Sequence, residues 1–333
     1  MKKILLIALV AMALVLTACG EQTPNGPVFA PFIGGTQAIE MEQVPGMPPN
    51  EVGAILDNGN SPFGIQLRLN NVGEYDIDTT KGDELFLELS GISSSQFGIT
   101  EADLTQRLDA PLPGARKIIG GNIQPGQSTV LTFEGLSYKA DAMGDTPITY
   151  NLNLCYDYET RSTTQICMVG DVTGALVNQK QQEICKVNEQ KKPYNSAGPV
   201  QVIEMNEIPQ GGSKVTLIIK IGHVGTGDVF KAGSDNGCSY ALQNPDRNKV
   251  EVKVHLPEQS EANLQCAGFT SSGHEATGEV TLFEGTPRTI TCNVESTGSA
   301  KTYYQDLLSV DMRYRYGETL QDSIVITDVG VLS

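Results

Sequence analysis

The sequence predicts an all-β protein made of two tandem antiparallel β-sandwiches, and three observations support that fold class. Apolar and polar residues alternate with a period of two in several segments, which is typical of strands buried on one face. Three of these segments recur in the same order in the second half of the chain. Pro (17 residues) and Gly (35 residues) are frequent, Trp is absent and long helical patterns are scarce, as in exported β proteins.

The internal repeat rests on three pairs of matching segments. Residues 38–45 (AIEMEQVP) match 202–209 (VIEMNEIP), residues 65–73 (IQLRLNNVG) match 217–225 (LIIKIGHVG), and residues 154–158 (LCYDY) match 312–316 (MRYRY). Because self-similarity in a fixed order is typical of duplicated units, we infer two copies of one domain. The offsets of 164, 152 and 158 residues place one insertion in residues 46–62 and another between the last two matches of the second copy.

The last match of each copy predicts a β-hairpin with a buried face. Tyr156 and Tyr158 share the face of Leu154, and Tyr314 and Tyr316 share the face of Met312. We therefore interpret the tyrosines as core residues rather than as a carbohydrate platform. The polar segments 159–162 and 317–319 follow, and another apolar segment comes after each, so that we expect a turn at both places.

The N-terminus has the features of an export signal. Lys2 and Lys3 precede an apolar run of 13 residues, 4–16, which is too short to span a bilayer as a helix. The run ends in Leu-Thr-Ala-Cys-Gly at residues 16–20, which resembles the lipobox of prokaryotic lipoproteins. That resemblance implies cleavage before Cys19 and diacylation of its thiol by palmitate-type chains. The alternative is an ordinary secretory signal that happens to be followed by a cysteine. No later segment is apolar enough to span a membrane.

A second resemblance concerns the fold of the repeat. The strand that ends in Asn71-Val72-Gly73 is similar to those of the immunoglobulin-like CARDB-type modules of bacterial and archaeal surface proteins. The second copy departs from this motif because it has His223 in place of the Asn. The resemblance covers only these short segments. It implies immunoglobulin-like sandwiches that serve as adhesive modules or structural spacers, and it brings no catalytic residues.

These observations together predict five regions. They are a signal peptide at 1–18, a lipidated cysteine and tether at 19–35, a first sandwich at 36–171, a polar linker at 172–197 and a second sandwich at 198–333.

Six cysteines follow Cys19, and an even number in an exported chain predicts disulfides. Cys155 and Cys167 are symmetric about the predicted first turn, so we expect them to bridge opposed strands. We pair Cys266 with Cys292, which leaves Cys185 for Cys238. A bond from Cys185 to Cys155 or Cys167 is the alternative. A zinc site is not predicted, because no CxxC motif exists and the three histidines, His223, His255 and His274, are scattered.

Other chemistry has little support in the sequence. A formal net charge of −16 argues against binding of nucleic acid or an anionic membrane face through bulk electrostatics. We find no Gly-x-Ser-x-Gly elbow and no phosphate-binding loop, so that no enzyme activity and no cofactor are predicted. A weak calcium candidate is the acidic loop with Asp76, Asp78, Asp83 and Glu84. Its spacing is not that of an EF-hand, and a lysine, Lys81, opposes a cation there.

The expected function is that of a lipid-anchored, extracytoplasmic lipoprotein of the cell envelope that acts as a non-enzymatic binding, adhesion or scaffolding module. Its expected partners are the lipid bilayer, through Cys19, and an envelope or surface protein or glycan. One alternative is a cell-surface subunit that assembles with itself through strand addition. An envelope hydrolase is a weaker alternative. Bacterial and archaeal origins are both open.

Overall fold

The structure is a computed structural model that describes residues 30–59, 61–169, 185–239, 241, 243–283, 285–297 and 303–331. The signal peptide, Cys19 and residues 172–184 of the predicted linker lie outside the described residues. The chain divides into two compact units, Met1–Pro31 and Phe32–Ser333, and the description below concerns the second unit.

The predicted all-β class is confirmed. The strands of the first half are β1 (Ile39–Gln43), β2 (Ile55–Leu56), β3 (Phe63–Asn71), β4 (Leu85–Ser90), β5 (Thr105–Arg107), β6 (Arg116–Lys117), β7 (Ile123–Gln124), β8 (Ser128–Leu136) and β9 (Thr146–Val169). Those of the second half are β10 (Glu189–Lys191), β11 (Tyr194–Asn195), β12 (Val200–Gly211), β13 (Lys214–His223), β14 (Asp228–Phe230), β15 (Lys249–His255), β16 (Ala262–Cys266), β17 (Thr270–Ser272), β18 (Glu275–Thr281), β19 (Arg288–Ser296) and β20 (Tyr303–Thr327).

Helices are short wherever the chain is described. They are the α-helix α1 (Ser94–Phe97) and the 3₁₀ turns Thr79–Lys81, Glu101–Leu104 and Val329–Val331. Among the described residues, no helix has the length and apolar character needed to cross a membrane.

Apart from the short parallel pair of β2 and β20, the strands form antiparallel sheets that pack as β-sandwiches around one buried apolar cluster. A three-stranded sheet has the order β1-β3-β8, and a five-stranded sheet has the order β10-β12-β13-β19-β16. A ten-stranded sheet follows the path β17-β18-β15-β20-β9-β4-β5, and its other three strands pair beside this path, β11 with β9 and both β2 and β14 with β20. The small β6-β7 sheet stands apart. The predicted alternation is confirmed in β3, where Ile65, Leu67 and Leu69 are buried and the residues between them are partly exposed.

Both halves use the same strand order. The order β1-β3-β8 in the first half corresponds to β12-β13-β19 in the second, and β5-β4-β9 corresponds to β18-β15-β20. The halves meet in one continuous sheet, because β9 pairs with β20. The domain limits deduced from the sequence stay a prediction.

The two predicted hairpins are wrong. β9 and β20 each continue through the expected turn, and they pair with each other from Thr146↔Ile326 to Val169↔Tyr303. The polar residues at 159–162 serve this pairing instead of a turn: the buried Thr160 hydroxyl lies 2.7 Å from the Tyr314 hydroxyl. That contact joins the first half to the second.

The continuous strand also overturns two of the predicted disulfides. Cys155 and Cys167 lie on one strand, 12 residues or roughly 40 Å apart at 3.3 Å per residue, and therefore cannot form a bond with each other. Cys155 instead bonds Cys238 of the second half, and Cys167 bonds Cys185, which had been left open as an alternative partner.

The third predicted disulfide, Cys266–Cys292, is confirmed. The two cysteines are directly opposed in the antiparallel pair of β16 and β19, with 3.9 Å between their Cα atoms.

The tyrosines of the repeated segment form the centre of the molecule, and their prediction as core residues is confirmed. Tyr156 lies opposite Tyr316 and Tyr158 lies opposite Tyr314, with neighbouring ring centroids 5.9–6.1 Å apart. The second tyrosine of each half lies so close to a glycine of the same half that a side chain would not fit at the glycine position. A Cβ added at Gly73 would collide with the Tyr158 hydroxyl, and a Cβ added at Gly225 would collide with the Tyr316 hydroxyl.

An ion pair lies between these tyrosines in the register. Asp157 is opposite Arg315, and both side chains are buried. Arg315 donates from Nε and Nη2 to the two Asp157 oxygens at 3.0 and 2.9 Å, and from Nη2 to Glu84 at 2.7 Å. This two-pronged geometry is the strongest form of an arginine–carboxylate contact, so the pair fixes the register at the junction of the halves.

Candidate functional site

The residues singled out in the sequence do not converge on one site. Cys19 lies outside the described residues, so its lipidation stays a prediction. His255 lies 3.1 Å from Asp311, and His274 lies 2.7 Å from the Ala262 carbonyl oxygen. His223 lies 3.1 Å from the Tyr316 hydroxyl, where burial lowers its pKa.

The acidic loop of the calcium prediction distributes its carboxylates among separate protein partners. Asp76 pairs with Arg116, Asp78 with Lys81 at 3.0 Å, Asp83 with Arg313 at 2.9 Å, and Glu84 with Arg315 at 2.7 Å. Hydrogen bonds to Thr80 and Lys81 lower the pKa of Asp78. These contacts build no shared ligand cage, and calcium binding by the loop stays a prediction.

A different carboxylate cluster comes together elsewhere. In the part of the chain that the structure describes, Asp57, Asp141 and Asp328 form the one group of three metal-type ligands within 4.8 Å of one another. The buried Asp57 carboxylate accepts hydrogen bonds from the Ala142 and Val329 amides at 2.9 and 3.1 Å. The first of these is the main reason for its lowered pKa. The carboxylate thus holds two loops together.

One feature that differs between the two halves is the sheet edge formed by β8. Among the described strands, β3 is the only one that pairs with β8. The strand that corresponds to β8 in the second half, β19, lies between β13 and β16. The β16 strand also bonds the opposite sheet edge, since the Leu264 amide donates to the Gly273 carbonyl at 2.8 Å. The side of the sandwich that β16 closes in the second half is therefore open in the first.

The backbone of β8 can receive another strand. Gln66 directs its amide and carbonyl toward the β1 side, where they bond Met47 and Val44 at 3.3 and 3.2 Å. Gln66 is paired with Thr132, and in such an antiparallel pair both residues point their backbone groups away from each other. Thr132 therefore directs its N–H and C=O out of the sheet, and so does Val130, two residues earlier.

The equivalent residue of the second half has a partner. Ile218, which matches Gln66 in the repeat, is paired with Thr291, so Thr291 corresponds to Thr132. The Thr291 carbonyl accepts a hydrogen bond from the Ala267 amide at 2.9 Å, immediately after β16.

A polar cleft of about 440 Å³ accompanies the open edge, between β8 and β5. Its charged lining residues are Asp103, Arg107, Asp109 and Glu134, an excess of two carboxylates. The cleft also contacts the apolar side chains Leu108 and Leu131, which are 9% and 8% exposed. An extended segment with apolar and basic side chains would fit this combination.

The sequence contained a signal for this edge that the repeat alignment did not use. The first six residues of β8, 128–133 (STVLTF), hold no charge, Gly or Pro, and Glu134 and Gly135 follow only at its end. Edge strands normally carry such residues to prevent pairing with other chains. The strand β16 lies between the second and third matching segments of the repeat, where the second copy is longer than the first. This strand, which covers β19, therefore has no match in the first copy.

Comparisons with known proteins do not name a family. No protein-family model matches the chain. No curated protein matches it either.

Two solved structures have a weak similarity to the chain. The secreted serine protease VesC from Vibrio cholerae is similar at 10% identity and a TM-score of 0.16, over 78% of this chain and 48% of the protease. The GH31 alpha-xylosidase from Xanthomonas citri is similar at 9% identity and a TM-score of 0.15, over 87% and 28%. The chain thus spans less than half of either enzyme. Scores this low carry no argument about fold or activity.

Proposed function

We propose that this protein is a lipid-anchored envelope protein that binds an extended segment of another envelope or surface protein by adding it as a strand to β8. The Cys19 lipid holds it at a membrane, and its two immunoglobulin-like sandwiches, akin to CARDB-type modules, serve as a non-enzymatic adhesion or scaffolding device. Three disulfides are in keeping with an oxidising, extracytoplasmic compartment.

The observation that carries the proposal is the open edge of β8 at the place where the second half has β16. Strand addition uses backbone hydrogen bonds for affinity and alternate side chains for specificity. The occupant corresponds to β16 in geometry: an antiparallel strand of five residues whose alternate side chains, Ala262, Leu264 and Cys266, are buried. The carboxylates of the cleft favour basic residues in that segment.

A photo-crosslinking experiment in the native cells tests the proposal. A photoreactive amino acid at Val130, on the open edge, is expected to give a covalent adduct with one envelope protein. The same probe at Thr291, next to the covered edge, should give none. The Thr132→Pro substitution removes an outward N–H without removing a bond to β3, and is expected to abolish the adduct. Adducts of equal yield at both positions would refute the proposal.

Self-assembly is the second candidate, because an open edge can also accept a strand from another copy. An adduct of twice the chain mass, together with concentration-dependent oligomers of the purified protein in light scattering, would replace the first proposal by this one.

The proposed anchor has its own test. The Cys19→Ser substitution is expected to release the protein from the membrane fraction or to leave the signal uncut. A variant that fractionates and migrates like the wild type would contradict lipidation.

A further inference from the structure

The β6–β7 hairpin carries an apolar tip that the open edge does not involve. Ile119 is fully exposed, Ile123 is 57% exposed and Ile118 is 45% exposed. A Cβ placed at either of the two intervening glycines, Gly120 and Gly121, would meet no atom within 4 Å, so the tip stands clear of the rest of the described chain. Single exposed apolar residues are ordinary, but three together on a projecting hairpin indicate a contact surface.

The root of this hairpin is firmly held. The Ala115 amide donates to the Gly73 carbonyl at 2.6 Å, and the Gly114 amide donates to the Asp76 carboxylate at 2.9 Å. Arg116 forms an ion pair with the same Asp76. The position of the tip relative to the first sandwich is therefore fixed by its base.

The N-terminal tether begins at the same place. The Ile33 and Gly34 amides donate to the Glu74 carboxylate at 2.9 and 3.2 Å. Glu74 lies in the sequence between Gly73 and Asp76, which hold the hairpin root, so the segment that leads back to Cys19 starts beside that root. The segment from residue 19 to residue 33 spans at most roughly 50 Å when fully extended. A bilayer that holds Cys19 is within reach of the tip.

The charge of the hairpin differs from that of the whole chain. The only charged residues between positions 115 and 125 are Arg116 and Lys117, whereas the protein has 39 acidic and 23 basic residues. Bulk electrostatics oppose an anionic membrane, but the hairpin sequence itself contains no carboxylate. Apolar insertion, rather than net charge, would supply the contact.

We propose that Ile118, Ile119 and Ile123 insert into the interface of the bilayer that holds the Cys19 lipid. The inference rests on the proposed lipid anchor. It gives the protein a second, non-covalent membrane contact, which fixes how the first sandwich faces the membrane.

Fluorescence can test this cleanly because the chain contains no Trp. The full acylated protein with Ile119→Trp is reconstituted into phosphatidylcholine vesicles with a minority of phosphatidylglycerol and brominated acyl chains. The matched control is Met143→Trp, at a position that is 97% exposed in the loop before β9. We expect blue-shifted emission and roughly twofold or stronger quenching for Ile119→Trp alone, because bromine quenches only a ring within the acyl region. Ile123→Trp serves as a second reporter and should respond in the same way.

Flotation of the same vesicles reads the lipid anchor separately from the hairpin. Protein that floats while Ile119→Trp and Met143→Trp are quenched equally would overturn the hairpin proposal and leave the anchor intact. Quenching and flotation that persist with Cys19→Ser would support the hairpin and remove the anchor. Protein that does not float at all overturns both. Emission that shifts only in native envelopes, and not on vesicles, would assign the tip to a protein and overturn the lipid proposal.

Discussion

In the second half, β16 lies along the outer side of β19 and the Cys266–Cys292 disulfide joins the two strands. In the described part of the first half, β8 pairs with β3 and has no second strand on its outer side. The opposite edge of the sheet also has an additional strand in the second half: β12 pairs with β10, whereas β3 is the only described strand that pairs with β1. The buried core, in contrast, is the same in both halves: a tyrosine hydroxyl lies against a glycine, Tyr158 with Gly73 and Tyr316 with Gly225. The two halves thus share the packed tyrosine–glycine contacts and differ at the sheet edges, where unpaired backbone groups are available to another strand.

The largest loss of stability is expected when the ion pair between Asp157 and Arg315 is disrupted. These two residues carry opposite charges at matching positions of the two halves. The Arg315→Met substitution leaves a buried carboxylate without its cation, which should lower the free energy of unfolding by about 3–5 kcal/mol. Urea unfolding of the oxidised protein measures this loss. Adding Asp157→Asn, which keeps an acceptor for the Glu84 amide, should recover a large part of it. If the double variant is as unstable as Arg315→Met, the ion pair is not what holds the junction.

The next largest effect is the difference in stability between proline variants of β19 and β8. Thr291→Pro introduces a ring into an inner strand that is paired on both sides, and should cost about 3 kcal/mol or more, whereas Thr132→Pro on the open edge should cost less than about 1 kcal/mol. Thermal unfolding of the two variants measures the difference. Equal losses would mean that β8 is covered in the folded protein, and the contrast between the halves would fail.

The sequence was sufficient for the parts of the fold that depend on local periodicity. Ile65, Leu67 and Leu69 are buried as predicted, because alternation alone decides which face of a strand is apolar. The hairpins failed because the polar segments 159–162 and 317–319 were taken for turns, although polarity alone does not distinguish a turn from a paired strand. The second half supplies partners for the polar groups of residues 159–162, as Tyr314 does for Thr160. A local sequence pattern does not indicate a partner that lies about 150 residues away.

The disulfide errors followed from the same cause. Connectivity depends on which strands become neighbours, and a single wrong hairpin placed Cys155 beside Cys167. The open edge of β8 required a comparison of strand orders, since it is defined by a strand that the described part of the first half lacks. The carboxylates of the calcium loop were visible in the sequence, but two of the arginines that pair with them, Arg313 and Arg315, come from the other half of the chain.

A smaller effect tests whether the centre is equivalent in the two halves. Gly73→Ala places a methyl group against the Tyr158 hydroxyl and should destabilise the protein by about 2 kcal/mol, and Gly225→Ala should do the same through Tyr316. Removing the hydroxyl with Tyr158→Phe should recover part of the first loss. Tyr316→Phe should recover less of the second, because Pro199 also crowds the Gly225 position. Urea midpoints that show no recovery in either pair would contradict the hydroxyl as the reason for these glycines.

The smallest effect concerns the residue that lies two positions after the second tyrosine of each half. In the first half this is Thr160, whose hydroxyl meets Tyr314, and in the second it is Glu318, whose carboxylate accepts from the Tyr156 hydroxyl at 3.4 Å. Burial raises the pKa of Glu318 from 4.5 to about 7. The folded protein therefore favours the protonated carboxyl, and this stability is fully present below pH 4.5 and is lost as the pH rises through 7.

Replacing this carboxyl should therefore change how stability depends on pH. The Glu318→Gln variant cannot ionise, so at pH 8 it should be more stable than the wild type by about 1–2 kcal/mol, after a discount for the partial exposure of the side chain. At pH 4.5 the advantage should vanish, because the wild-type carboxyl is then protonated in the folded state. Urea unfolding of both proteins between pH 4.5 and 8 measures the difference. A constant offset across this range would show that Glu318 does not titrate in the folded protein, and the contrast with the non-ionising Thr160 would then have no energetic consequence.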